Sequence, residues 1–231
     1  MELIKAAIAA YGGEALWSRV KTVNATISSG GFAFSTKFQR ALRGHRVEVE
    51  ASQPRTKLFF DSNGTVGVFD GGAVRIETPE GKLLASRINA RSLFPGGRRQ
   101  LWWDRLDQLY FVGYALWNYL TFPALLGRQD IAWTAVGDWS LEATFPPHIP
   151  THCRRQRFHF DPATALLKQH DYTAEVFGSW AKAAHVILQH GSWNGIPFAA
   201  KRRVTLRRSD GSPARWPVLV WIEVNDWSIG Y

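Results

Sequence analysis

The sequence predicts a mainly β (α+β) protein: one large, strongly curved antiparallel sheet with a helical segment packed against it. Three observations carry this. Apolar and polar residues alternate with period two over most of the chain, the pattern of strands that bury one face. Turn signals, many with glycine, recur about every 8–12 residues. One window, Gln108 to Gly127, interrupts the alternation with a charge-free run of aromatic and aliphatic residues. No linker, low-complexity tract or charge block divides the 231 residues, so a single domain over 1–231 is expected.

In chain order, MELIKAAIAAYGG reads as a short helix ended by Gly12-Gly13. Its apolar part is too short and broken for a secretory signal, which makes the cytoplasm the expected location. In GGFAFSTKFQR, Phe32, Phe34 and Phe38 alternate with Ser35, Lys37 and Gln39, so a strand is predicted there. HRVEVEA sets Val47 and Val49 against Arg46, Glu48 and Glu50. KLFFDSNGTVGVFDGGAVRIE reads as three short strands joined at Ser62-Asn63-Gly64 and Asp70-Gly71-Gly72. Residues 83–100 are less regular. A helix follows over roughly 101–120, limited by Pro123. Strands return at WTAV and WSLEATF on either side of Gly137-Asp138, and then at 153–160, 166–176, 182–190, 198–208 and 216–224.

The charge-free window is long enough to span a bilayer, which takes about 20 residues. Tyr110, Tyr114, Tyr119, Asn118 and Pro123 inside it, and the β-rich remainder, argue against a membrane span. A helix that is apolar all round is otherwise buried. Tyr110, Tyr114, Trp117, Asn118 and Tyr119 are apolar bodies with polar tips. They suit either the wall of a part-polar ligand site or a core helix whose hydroxyls are satisfied internally.

Strand register gives a sharper expectation. In 198–208 the odd residues Lys201, Arg203, Thr205 and Arg207 are polar, so the even face points inward and carries Arg202. In 166–176 the same argument turns Leu166, Lys168, His170 and Tyr172 inward. In 216–224 it turns Trp216, Val218, Val220, Ile222 and Val224 inward. Counting back from the turns at 161–165, Gly178-Ser179 and Trp193-Asn194-Gly195 aligns Arg154, Tyr172, His185 and Arg202 in one row. Gln156 and His170 lie one step along the same face. Directly opposed side chains are about 5 Å apart, so the row could share hydrogen bonds. A half-buried arginine needs a partner, and no carboxylate falls on this row. The row therefore suits an anionic or oxygen-rich ligand group. The alternatives are that Arg202 reaches the rim or pairs with Asp104 or Asp107 of the helix. Among these residues His185, with His170 and Tyr172, is the best acid–base set should the site be catalytic. His170 and Asp171 are chain neighbours on a strand and so point to opposite faces.

The formal charge is +9 and the pI about 10.0, with the excess in short arginine clusters. Few tryptophans lie within those clusters, so nucleic acid is not the expected partner. The single cysteine, Cys153, excludes an internal disulfide. His148, His152 and Cys153 match no zinc spacing, and no metal is expected. The chain has no phosphate-binding glycine loop, no G-x-S-x-G and no H-E-x-x-H, so no cofactor is expected.

The order of N-terminal helix ending YGG, strands, aromatic helix, strands resembles the LolA/LolB-like lipoprotein-carrier fold. YFVGYALWNYLTFPALL, DPATALLKQHDYTAEVFGSWAKAAH, GIPFAAKRRV and SDGSPARWPVLVWIEV also look like a group of bacterial proteins of about this length. The resemblance implies a half-open antiparallel barrel closed by helices over an apolar cavity. It implies a carrier for an apolar or aromatic small molecule or lipid with a polar or acidic end. On the helix and register readings above, Tyr110, Tyr114, Trp117 and Asn118 would line one wall, and Arg202, Arg154, Tyr172 and His185, with Gln156 beside them, would hold the polar end. The same fold also hosts a cofactor-independent biosynthetic enzyme. A cyclase, isomerase or lyase using His185, His170 or Tyr172 is therefore the alternative.

Overall fold

The structure, a computed structural model, describes residues 2–60 and 64–231. Two short helices open the chain, α1 (Glu2–Ala10) and α2 (Glu14–Trp17), separated by Gly12 and Gly13 at positive φ. Strand β1 (Thr22–Gly30) buries Val23, Ala25 and Ile27, and a single helical turn, α3 (Phe32–Ser35), follows it. Next come β2 (Leu42–Glu50), β3 (Arg55–Phe60), β4 (Thr65–Asp70), β5 (Ala73–Glu77) and β6 (Leu83–Arg87). Two 3-10 turns lead to α4 (Arg105–Leu120). The chain then returns to strands: β7 (Ala132–Ala135), β8 (Ser140–Thr144), β9 (Arg155–Phe160), β10 (Leu167–Thr173), β11 (Lys182–Trp193), β12 (Ile196–Leu206) and β13 (Val220–Gly230).

Among the described residues thirteen strands form one antiparallel sheet in the order β6-β5-β4-β3-β2-β1-β13-β12-β11-β10-β9-β8-β7. Only β1 beside β13 joins strands distant in sequence, so the sheet is two meanders fused at their first and last strands. The end strands β6 and β7 do not pair, and the curved sheet is an open half-barrel. Helix α4 lies in the concave face against β2, β3, β4 and β5. Its start is fixed by a capping box in which the Asp104 and Asp107 carboxylates each accept the other's backbone N–H. Arg87, Arg98 and Arg99 surround the same two carboxylates. Every residue from Leu109 to Leu120 is buried. No described helix is long and apolar enough to cross a membrane.

Four sequence expectations are corrected. GGFAFSTKFQR is not a strand: Gly31, at φ 128, turns the chain into α3, and Phe32 and Phe38 face solvent while only Phe34 is buried. Three phenylalanines at even spacing imitate a strand, but backbone hydrogen bonds from Phe32 and Ala33 to Val218 and Leu219 cross over the rim instead. The aromatic helix begins at Arg105 rather than 101, where Asp104 caps it. Lys168 points outward, because a bulge sets Leu167 opposite Phe160 and Gln169 opposite the adjacent His159. Trp216 lies exposed before β13, which starts at Val220. The turn expected at Ser62-Asn63-Gly64 falls mostly outside the described residues.

Candidate functional site

The expected registers are displaced by two residues. His185 pairs with His170 and Val204, not with Tyr172 and Arg202; Arg202 pairs with Ile187 and Ile222. Phe158 faces His170, not Lys168. The β11–β12 turn is Asn194-Gly195, both at positive φ, with Trp193 opposite Ile196. That centre lies one residue later than the expected one, so each pair moves by two. A shift of two leaves every side chain on its face. Gln156, His170, Tyr172, His185 and Arg202 are accordingly all buried on the concave side. Arg154 is the exception: it precedes β9, is exposed, and takes no part in the cluster.

The cluster meets the C-terminal half of α4. The Tyr119 hydroxyl sits 2.8 Å from the Tyr172 hydroxyl and 2.6 Å from His152 Nε2. His152 Nδ1 is 3.2 Å from the Tyr114 hydroxyl, and its ring stacks on Tyr172 at 3.8 Å. His170 Nε2 lies 2.6 Å from Gln156 Oε1. Asn118 donates to the carbonyls of Tyr114 and Pro150 and accepts from Thr151. Trp117 Nε1 donates to the Glu50 carbonyl, and Tyr110 stacks on Phe94. The tips of Tyr114, Trp117 and Asn118 are thus satisfied within the protein, the core-helix alternative. Tyr119, rather than Tyr110 or Trp117, is where the helix meets the histidines.

Two groups are not satisfied in this way. Both ring nitrogens of His185, which is fully buried, have no hydrogen-bond partner, while its ring meets Tyr119 edge-on at 4.5 Å. Arg202, 5% exposed, donates only to the carbonyls of Ala199 at 3.3 Å and Tyr119 at 3.1 Å, and lies over the Tyr119 ring. No described carboxylate pairs with it; Asp104 and Asp107 are taken by arginines elsewhere. Burial lowers the Arg202 pKa to about 10, so the guanidinium stays charged at neutral pH. Burial, reinforced by Arg202, holds His185 well below its usual range. It also lowers His170 to about 3 and His152 well below its usual value. The three imidazoles are therefore neutral beside one buried cation.

Two narrow clefts reach this region. One, about 10 Å³, is lined by Tyr11, Tyr119, Phe122, Phe198, Arg202 and Trp227. The other, about 20 Å³, lies between Phe34, Phe111, Leu116, Tyr119, Tyr172 and Ile222. Tyr11 closes the first from the end of α1: its hydroxyl accepts from the Leu167 N–H at 3.1 Å, and burial raises its pKa to about 12.

His152 and Tyr119 are site residues that register reasoning did not select. His152 lies in the irregular run after Pro150, where no alternation marks a face. Tyr119 carried a signal, as the third tyrosine of the charge-free window, but only the fold shows which of the three meets the sheet. Among the described residues no group of three or more His, Cys, Asp or Glu is arranged to hold a metal ion. Cys153 is buried with Sγ 2.9 Å from the Arg155 carbonyl oxygen.

An open antiparallel half-barrel holding a helix in its concave face is a LolA-like fold, and solved structures bear this out. The chain is similar to a DUF1329 family protein from Desulfovibrio piger, with 14% identity and a TM-score of 0.52 over 99% of this chain and 92% of that one. It is similar to a LolA superfamily protein from Nitrosomonas europaea, with 10% identity and a TM-score of 0.50 over 100% and 93%. A domain named for outer membrane lipoprotein sorting, from Vibrio parahaemolyticus, matches with 10% identity and a TM-score of 0.51 over 99% and 91%. At these identities the likeness establishes the fold. No family model matches the chain, and no curated protein matches it.

Proposed function

We propose that the protein binds an apolar or aromatic small molecule or lipid with an acidic end, between the curved sheet and α4, in the manner of a carrier. The observation that carries this reading is Arg202. It is a buried guanidinium without a described carboxylate partner, set among Phe122, Phe198 and Trp227, and near enough to His185 to add to the burial that lowers the histidine's pKa. An acidic headgroup would supply the missing counter-charge as a charge-assisted, two-pronged hydrogen bond. The aromatic walls would take the apolar body. The lipoprotein-sorting domain among the structural neighbours agrees with a carrier. The clefts are narrow, so entry requires Tyr11 and α1 to move off the mouth, with Phe122 and Tyr119 swinging aside.

A second reading shares the pocket. The neutral, unpartnered His185 ring beside Tyr119 and Tyr172 is suited to accept and return a proton. A cofactor-independent cyclase, isomerase or lyase would use it, with His170 and Tyr172 behind it and Arg202 on an oxyanion. One experiment addresses both readings. Organic extraction of protein purified from cells, followed by mass spectrometry, should yield a stoichiometric acidic apolar compound. A His185→Ala variant should still carry it. Extracts with no enriched acidic compound from either protein would overturn the carrier reading. A compound chemically altered by wild type but not by His185→Ala would favour the enzyme.

A further inference from the structure

Not every lined space in the molecule is in the concave face. A groove of about 1030 Å³ opens on the opposite, convex side of the sheet, over β8, β9 and β10. It shares Gln156 and Tyr172 of the same strands with the proposed interior site but opens on the other face, because strand alternation sends the His170 and Tyr172 side chains inward while Asp171 points out. The overhanging wall is the segment after β12, where Arg207 bridges to Pro213 and Gln169 Nε2 donates to the Gly211 carbonyl at 3.2 Å.

The charge of this groove is uneven in a specific way. Its lining holds six cationic side chains and three carboxylates, a formal excess of three positive charges among the Lys, Arg, Asp and Glu residues. Two of the carboxylates are already engaged in the floor. Asp171 accepts from Gln169 at 2.8 Å, from Arg207 at 3.1 Å and lies 3.1 Å from His159 Nε2. Burial works against its charge, but these partners hold its carboxyl below the usual range. Glu142 is engaged by Arg155. The third, Asp210, is occupied by its own turn, accepting from the Ser212 N–H and hydroxyl. Arg157 makes only a 3.6 Å approach to Glu142, and no described carboxylate pairs with Lys168, Lys182 or Arg208. Four cations therefore line one groove, three of them with no described carboxylate partner and the fourth, Arg157, paired to Glu142 only at 3.6 Å. Surface cations normally spread apart or pair, so several grouped along a groove of ligand size with little carboxylate pairing suit an anion.

The geometry points to this convex groove as a binding site for a multiply charged phosphate group, held by Arg157, Lys168, Lys182 and Arg208 over the Asp171–His159 floor. A single carboxylate would leave most of the four cations unpaired. A phosphate ester or diphosphate carries the two or more charges and the several acceptor oxygens that they can use together.

The test is calorimetric titration with inorganic pyrophosphate at low ionic strength. Three proteins are compared: wild type, an Arg157→Gln/Arg208→Gln pair, and an Arg43→Gln/Lys5→Gln pair that removes the same charge from exposed positions elsewhere. Thermal melting confirms that all three fold. Wild type should bind saturably, with affinity falling as salt is added. The groove pair should weaken binding at least ~10-fold and the control pair less than ~3-fold, since charge-assisted contacts rather than net charge hold the ion. No saturable binding by wild type, or equal loss in both pairs, would overturn the site. Vesicles containing phosphatidic acid identify the source. Capture that pyrophosphate reverses assigns a lipid headgroup, and saturable binding without capture assigns a soluble phosphate compound; both support the groove.

Discussion

A guanidinium enclosed by Ile187, Ile222 and the Tyr119 ring, with only carbonyl oxygens to bond, is held against a large desolvation cost. Its bonds to the Ala199 carbonyl and to the Tyr119 carbonyl in the last turn of α4 anchor it there without supplying a counter-charge. The histidines around it contribute a second cost, which has a pH signature. His152, His170 and His185 are all depressed by burial. In the unfolded chain each returns to about 6.5. Below that value the unfolded chain binds more protons than the folded one, so stability is complete above about pH 7 and falls as pH drops through 6.5. With three rings acting together the slope approaches ~4 kcal/mol per pH unit. Urea midpoints should therefore drop steeply between about pH 7 and pH 5. Midpoints that stay flat over that range would mean the three rings are solvated.

At the scale of elements, α4 approaches the sheet closely enough to need glycine. A Cβ on Gly113 would overlap the Phe69 side chain, and Thr56 Oγ1 donates to the Gly113 carbonyl at 2.9 Å, fixing the helix at that distance. Gly113→Ala should cost about 1–3 kcal/mol by overpacking, despite alanine's better helix propensity. Gly127→Ala, where a Cβ meets nothing within 4 Å, serves as the control and should be close to neutral. Denaturant melts of the two variants check this; equal stability would mean that α4 rides further from β4. The elements were also the most legible part of the sequence. Strands with one wet face announce themselves by alternation, as Val47 and Val49 do against Glu48 and Glu50. Pairing was less legible. The Lys168 bulge and the true centre of the Asn194-Gly195 turn are local backbone choices that alternation does not encode, so the rows slipped by two while the faces held. In the run from Phe32 to Phe38, α3 was hidden because apolar spacing alone does not distinguish a helical turn on a rim from a short strand.

For the molecule as a whole, the curved sheet has two distinct faces. The concave one is filled by α4 and an aromatic, histidine-rich core; the convex one carries the basic groove. Arg202 was placed on the inward face by alternation alone, and its lack of a carboxylate partner could be anticipated from the same count. The contributions of Tyr119 and His152 could not, because they come from the docking angle of α4 and the path of the loop after Pro150. The most direct test of the interior site compares hexadecanoate with hexadecanol, two probes of one chain length differing in charge, on wild type and Arg202→Met. Wild type should prefer the acid by at least ~10-fold, as a charge-assisted contact in a dry pocket requires. Arg202→Met should bind both probes equally and fold with unchanged or higher stability, by up to about 4 kcal/mol, because a buried charge has been replaced by an apolar side chain. A wild type indifferent to the acid, or an Arg202→Met protein that keeps the preference, would contradict the assignment of Arg202 to an acidic ligand.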